Sequence, residues 1–402
     1  MIGAGMIAQI EHIPNLLRLK DKLTNRDEVT MRAAIIGAGY IGRVHAGLIG
    51  ELGGEVAGVC GRTLSSAQAF ATGNAYDSVE AMLRAEKPDV VHVCSPNHLH
   101  KEHVLAAFAA GAHVMCEKPM ATNLDDCHRM VEAAEKAKRT GAIAYCYRGY
   151  PLVRELRRRV HDGDFGELWR VSGLYLSQDV FDTEKYVWHF TKGTVGEAFA
   201  LMDYGVHWLD LVEFVTGEPI SEITAAFSTH RPRRVWTGGV GQGPEPRGRR
   251  LASGHVEVEF ALEDHADLLI RLEKGASGTA SIMALSPGNA NHIALSVDGD
   301  KGGFDWQQEQ PNTFTERRLN EKIIRDKNPD RLHPDDRFSA GAPAGHPEGY
   351  LDAFRNVIAE SWRAMRGEKV VHPSFADGAR GVALVEAAAE SWRARRPCNP
   401  KR

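Results

Sequence analysis

A strand, a glycine turn and a helix in immediate succession constrain this chain more than anything else in it. Ala33-Ala34-Ile35-Ile36 is a short apolar run, Gly37-Ala38-Gly39-Tyr40-Ile41-Gly42 has the spacing G-x-G-x-x-G, and Val44 to Leu52 continues as a helix. The glycine spacing alone is a weak signal; between a strand and a helix it gains meaning. In that setting Gly37 permits a tight turn, Gly39 lets the backbone approach a pyrophosphate, and Gly42 lets helix and strand pack closely. The helix then presents unpaired N–H groups to the phosphates.

The same grammar repeats downstream. Glu55–Cys60, Pro88–Cys94, His113–Cys116 and Ala142–Tyr147 read as strands, separated by helices at Ser65–Thr72, Lys101–Ala110 and Asn123–Arg139. Strands alternating with helices predict an α/β fold whose residues 31–150 form a Rossmann domain, a doubly wound parallel sheet. After Pro151 the pattern changes. Helices at Leu152–His161 and Asp203–Thr216 frame the strand Trp169–Ser177, and strands follow at Ile220–Thr229, His255–Leu262, Asp267–Glu273, Gly278–Leu285 and His292–Asp298. Helices return at Glu348–Met365 and Ala376–Arg393. Successive strands joined by turns predict a large, mostly antiparallel open sheet in a second α/β domain, residues 151–402. Arg231–Arg250, rich in Gly, Pro and Arg, reads as a solvated connection. Residues 1–30 carry their own Gly3-x-Gly5 without a preceding strand, and read as a partial duplicate or a mis-assigned start.

An acidic residue commonly follows this fingerprint by about 20 residues and bonds the ribose 2′-hydroxyl. Here Cys60 is followed by Gly61 and Arg62. A missing acid with an adjacent arginine favours NADP, bound through Arg62, over NAD, which stays usable. Thr63, Ser65 and Ser66 offer further hydroxyl donors.

Three clusters carry candidate chemistry. Glu117-Lys118-Pro119 follows the strand His113–Cys116, and ligands of open α/β sheets lie beyond the carboxyl ends of strands. A cis Lys118–Pro119 bond, accessible because X–Pro bonds isomerise readily, is expected to aim the lysine inward. Asp203-x-x-x-His207 places a carboxylate and an imidazole on one helical face, where the acid can tune the base. Tyr147-Arg148 ends the last Rossmann strand. Each has a plain alternative: a surface lysine, a helix cap and an ordinary helix histidine.

Taken together these segments are similar to the glucose–fructose oxidoreductase/inositol dehydrogenase (Gfo/Idh/MocA) family. The resemblance rests on Ile36–Gly42, Ser95-Pro96-Asn97-x-x-His100, Gly111–Pro119, Tyr145–Arg148 and Asp203-Tyr204-Gly205-Val206-His207-Trp208-Leu209-Asp210. It implies a catalytic set of Lys118, Asp203 and His207. It also implies a cofactor lying against Gly37, Gly39, Tyr40, Ile41, Gly42, Ser95, Asn97, His100, Glu117 and Lys118, with Asn97 and His100 near the nicotinamide half. Gln178-Asp179 resembles the Q-D of a levoglucosan-dehydrogenase-like sugar dehydrogenase branch, whose tryptophan-rich stretch is kept only at Trp188-His189. Lys118, Arg148, Gln178, Asp203 and His207 are therefore the expected substrate contacts.

The reading is an NAD(P)-dependent oxidoreductase moving a hydride between nicotinamide and a secondary alcohol or ketone carbon of a sugar. An inositol or amino-sugar dehydrogenase with the same machinery is the alternative among enzymes, and a non-catalytic dinucleotide-binding regulator the alternative from another class. A net charge of −4 gives no global attraction for nucleic acid or anionic membrane. No apolar run approaches the roughly 20 residues of a membrane helix. The six cysteines show no C-x-x-C pair and read as free thiols of a cytoplasmic protein. His98–His103 contains three histidines but no cysteine or second acidic cluster at ligand spacing, so no metal is expected. A small-molecule sugar or polyol is the expected partner, with a homodimer or homotetramer as the assembly.

Overall fold

A computed structural model describes residues 31–70, 72–182, 186, 190, 192–238 and 246–401. Residues 1–30 and the Trp188-His189 pair, both singled out above, lie outside the described residues. The N-terminal half runs β1 (Arg32–Ile36), α1 (Tyr40–Glu51), β2 (Glu55–Cys60), α2 (Leu64–Gln68), β3 (Asn74–Tyr76), α3 (Val79–Glu86), β4 (Val90–Val93), α4 (His100–Ala109), β5 (His113–Cys116), α5 (Leu124–Ala137) and β6 (Gly141–Ile143). The six strands are parallel in the order β3-β2-β1-β4-β5-β6. Central β1 and β4 are buried on both faces, which is why their sequences are near-continuous apolar runs. The order reverses between β1 and β4, and the crevice there is where α/β sheets bind ligands.

Beyond β6 the chain makes a 3-10 turn at Cys146–Gly149 rather than extending the strand to Tyr147 as the sequence suggested. Then come α6 (Pro151–His161), β7 (Leu168–Leu176) and α7 (Val206–Thr216). β8 (Ile220–Ser228), β12 (His265–Leu272), β13 (Ser277–Met283), β14 (His292–Gly299), β15 (Gly302–Gln307), β16 (Thr313–Arg318) and β17 (Glu321–Asp326) follow. With β7 they make an eight-stranded sheet ordered β17-β16-β15-β14-β7-β13-β12-β8. Only the β7–β13 pair is parallel. A smaller sheet of β9 (Arg233–Trp236), β10 (Arg249–Arg250) and β11 (Val256–Glu259) occupies part of the stretch read as a connection; it pairs antiparallel, so Arg231–Arg250 is not simply a loop.

Strand β16 was not legible because its inward positions are not uniformly apolar. On β16, Phe314 and Glu316 both point inward and are buried, and Glu316 is held by Arg159, Arg318 and Arg325. Finally α8 (Tyr350–Met365) and α9 (Phe375–Ala394) return to the first sheet. Pro373 O accepts from Ile143 N, and Asn356 Nδ2 donates to Gly149 O. One apolar core therefore runs from Ile35 and Val91 through Tyr145 and Trp208 to Ile282 and Val297.

Candidate active site

The glycine turn has the shape a dinucleotide needs. Gly37 has φ +116°, and a Cβ there would meet Cys94 O at 2.3 Å; a Cβ at Gly42 would meet Gly37 O at 2.2 Å. Gly39, by contrast, has nothing within 4 Å of its would-be Cβ, so the backbone is bare on the side where phosphates approach. It also caps α1 without any side-chain bond, and no acidic residue stands in the first helical turn. The N–H groups of this turn are thus left to an anionic ligand, and the residues fit a nicotinamide dinucleotide. Tyr40 and Ile41 open the helix, Tyr40 being strongly exposed. At the end of β2, a Cβ on Gly61 would strike Ser66 Oγ at 2.3 Å. That oxygen is fixed by donating to Thr63 O, and Thr63 Oγ1 in turn accepts from Ser66 N. The capping box that starts α2 therefore uses the Thr63 and Ser66 hydroxyls, two of the donors expected for a 2′-phosphate. Arg62 is exposed and makes no ion pair among the described residues.

Lys118 sits at the carboxyl end of β5, and the Lys118–Pro119 bond is cis. Its Nζ donates to the Asp203 carboxylate at 2.7 Å and to Asp203 O at 2.9 Å. Burial alone would lower the lysine pKa, but the Asp203 carboxylate outweighs it and holds the ammonium above its ordinary range. Asp203 lies in a π-helical turn, Leu201–Gly205, that feeds directly into α7. The start of this turn is gripped by buried Glu263, whose carboxylate accepts from Phe199 N and Leu201 N. Sequence reading missed Glu263, which stands directly before Asp264 in a stretch with several other acids and carries no motif.

His207, in the first turn of α7, is buried and its Nδ1 has no partner. Burial, then the Lys118 charge, push its pKa well below the ordinary value, so the ring is neutral near pH 7. The expected direct Asp203–His207 pairing is replaced: the carboxylate bonds Lys118 and reaches the imidazole only through its field. His207 instead stands in an aromatic box, with ring centroids of Tyr147 at 4.8 Å, Tyr145 at 6.0 Å and Tyr175 at 6.3 Å. Tyr147 Oη and Tyr175 Oη bond each other at 2.8 Å, and both bond Asn291. Tyr175 and Asn291 carry no motif that sequence reading could use.

Other expected residues fall elsewhere. Arg148 is not at the cleft: its guanidinium is buried against Asp210 and also bonds Asp377, while its neighbour Tyr147 is the one that faces His207. His100 is fully buried, its ring nitrogens against Ser95 O and Pro119 O, so it braces the loop ahead of the cofactor rather than facing it. Ser95 Oγ bonds His103 Nδ1, and Asn97 is buried in a short 3-10 turn. The Glu117 carboxylate turns inward, accepting from His45 Nε2 at 3.0 Å and from Lys118 N at 3.1 Å. Gln178 is exposed at the end of β7 and accepts from Gly288 N. Among the described residues no three His, Cys, Asp or Glu side chains gather as metal ligands. No described helix is long and apolar enough to cross a membrane.

Comparison with known proteins agrees with this geometry. A family model described as an oxidoreductase family with an NAD-binding Rossmann fold matches residues 31–145, and the C-terminal domain model of the same family matches residues 153–305. The chain belongs to the Gfo/Idh/MocA oxidoreductase family. It is therefore an enzyme, which removes the non-catalytic alternative. It is 26% identical to levoglucosan dehydrogenase of Pseudarthrobacter phenanthrenivorans over 90% of this chain and 97% of that one. It is 38% identical to D-glucoside 3-dehydrogenase of Escherichia coli over 49% of this chain and 57% of that protein. Among solved structures, an oxidoreductase domain protein of Kribbella flavida superposes with a TM-score of 0.82 at 25% identity, covering 93% and 100% of the two chains. Levoglucosan dehydrogenase complexed with NADH and levoglucosan has the same fold, with a TM-score of 0.81 at 22% identity over 92% of this chain and 99% of that one.

Proposed function

We propose that this member of the family oxidises a secondary hydroxyl of a sugar, in particular the C3 hydroxyl of a glucopyranoside-type ring, or reduces the matching ketone. The observation that carries the reading is a charged Lys118 clamped by Asp203 beside a neutral, buried His207. The C3 assignment draws on relatives named for D-glucoside 3-dehydrogenation and glucose-6-phosphate 3-dehydrogenation. A nicotinamide bound across the β1–β4 crevice supplies the hydride acceptor. The chain's own groups do the rest. Lys118 Nζ holds the substrate oxygen and favours the negative charge developing on it. Neutral His207 takes the hydroxyl proton, a role a protonated ring could not fill. The Tyr147–Tyr175–Asn291 network walls the base and offers hydroxyl and amide groups to the ring.

Measuring reduced-nicotinamide absorbance across glucosides, inositols and amino sugars tests this. Turnover is expected on glucosides, with Lys118→Ala and His207→Ala each losing roughly 10²–10⁴-fold in kcat while still binding cofactor. Turnover confined to inositols or amino sugars, or near-normal rates in either variant, overturns the reading.

For the cofactor we propose that NADP is preferred and NAD usable. Gly61 leaves no carboxylate to repel a 2′-phosphate, and exposed Arg62 is available to grip it. A charge-assisted bond of roughly 1.5–3 kcal/mol makes Arg62→Ala lose about tenfold or more in kcat/KM with NADP and little with NAD. An unchanged ratio would leave Arg62 a surface residue.

A further inference from the structure

Away from the catalytic cleft, a cavity of ≈ 1410 Å³ opens between α6, α8, the segment around residues 333–338 and the end of α1. None of Lys118, Asp203 or His207 lines it. Its walls carry Arg154, Arg157 and Arg158 from α6, and Arg355, Arg363, Arg366 and Lys369 from α8 and the turn after it. The acids present are already engaged. Asp336 and Glu360 bond Arg154, Asp162 bonds Arg158, Glu51 pairs with Arg355, and Asp335 pairs with His333. Arg363 pairs with Glu368. That leaves Arg157, Arg366 and Lys369 with no ion pair among the described residues.

The packing of the arginines points the same way. Arg157 is stacked 5.0 Å from the Phe214 ring and Arg154 4.9 Å from Phe338. An aromatic ring against the guanidinium face leaves its donating edge for an in-plane oxyanion. Burial first, then the nearby Arg148 charge, lower the Arg157 pKa, and Asp336 offsets them only in part.

We propose that this cavity is a binding site for a phosphate-bearing small molecule of at least two negative charges, separate from the dinucleotide and sugar sites. Three uncompensated cations call for an acceptor-rich anion, and a phosphate's fork-matching oxygens suit arginine. The volume accommodates an organic phosphate rather than a bare ion.

The test titrates pyrophosphate into the full chain at low salt by calorimetry, with NAD⁺ saturating so that the dinucleotide phosphate groove is filled. One pyrophosphate per chain is expected, with affinity reduced at least tenfold in Arg157→Ala and in the rim variant Arg366→Glu. Arg393→Ala, far from the cavity, is expected to bind as the wild type does. Should Arg157→Ala fail to fold, Arg366→Glu combined with Lys369→Glu decides. Parallel arms with fructose 1,6-bisphosphate and adenosine triphosphate distinguish a sugar phosphate from a nucleotide. No heat with the wild type, undiminished binding in the cavity variants, or binding of pyrophosphate with neither ester each overturns the proposal.

Discussion

Lys118 keeps its charge in a nearly dry place because Asp203 offers both a carboxylate and a carbonyl to its ammonium. The same carboxylate raises the His207 pKa against burial and against the lysine's own charge. Asp203 thus acts on both Lys118 and His207, the two groups proposed to handle the substrate oxygen and its proton. Asp203→Asn removes one negative charge from between them and lowers both pKa values, so the whole kcat/KM pH profile is expected to move to lower pH. The kcat loss is expected to be smaller than for Lys118→Ala, roughly 10–10²-fold, since neither reacting group is removed. A pH titration of kcat/KM checks this, and an unshifted profile would reduce Asp203 to a scaffold. At this scale sequence reading singled out Lys118, Asp203 and His207, which the structure brings together, but not how they pair. Spacing i, i+4 brings Asp203 and His207 to one face, yet only the turn of β5 could show that Lys118 claims the carboxylate first. Tyr147 and Arg148 are adjacent in sequence and lie in one 3-10 turn, Tyr147 toward His207 and Arg148 toward Asp210, and which of the two reaches the cleft is set by a turn that a strand reading does not contain.

Elements are stapled to one another by buried polar groups, and these are what the hydrophobic pattern leaves unread. His45 lies on α1 three residues past Gly42, His92 on β4, and Glu117 at the end of β5. His45 Nδ1 and His92 Nδ1 are hydrogen-bonded at 2.6 Å, and His45 Nε2 donates to Glu117 at 3.0 Å. Burial first, then the His45 charge, hold His92 well below its ordinary pKa, so its ring is neutral. Glu117 in turn accepts from Lys118 N, so the helix that faces the cofactor phosphates and the strand that carries the lysine are one rigid unit. His45→Leu leaves one oxygen of the Glu117 carboxylate and Nδ1 of His92 buried without a partner, an expected loss of about 2–4 kcal/mol. Chemical unfolding measures it, and a variant as stable as the wild type would show the chain of bonds to be incidental. The parallel sheet was legible because apolar runs alternate with amphipathic helices. The edge of the large sheet was not, since β17 reads Glu-Lys-Ile-Ile-Arg-Asp and keeps most of it exposed.

The molecule holds together where three distant stretches meet at one guanidinium. Arg148 closes the N-terminal sheet region, Asp210 sits on α7 below His207, and Asp377 opens α9, which packs back on β6. Nε and Nη2 of Arg148 bond the Asp210 carboxylate at 2.8 and 2.5 Å, and Nη2 bonds Asp377 at 3.0 Å. Phe214 covers the guanidinium face at 4.7 Å, and Arg148 and Asp210 are both buried. Asp377 also accepts from Ser374 N and Oγ, so the same acid caps α9 and holds the arginine. One residue therefore joins the end of the dinucleotide-binding sheet, the helix of the base and the C-terminal helix. An arginine that contacted substrate would, when lost, raise KM. An arginine that locks three elements would instead lower stability and leave KM alone. Removing one partner of a buried pair strands the other charge and costs about 3–5 kcal/mol. Arg148→Ala is therefore expected to lower the urea midpoint steeply while the folded fraction keeps its sugar KM. Asp377→Asn, which spares Asp210, is expected to lose less. A raised KM at unchanged stability would return Arg148 to the substrate, where its place at the end of the last Rossmann strand and the family resemblance put it.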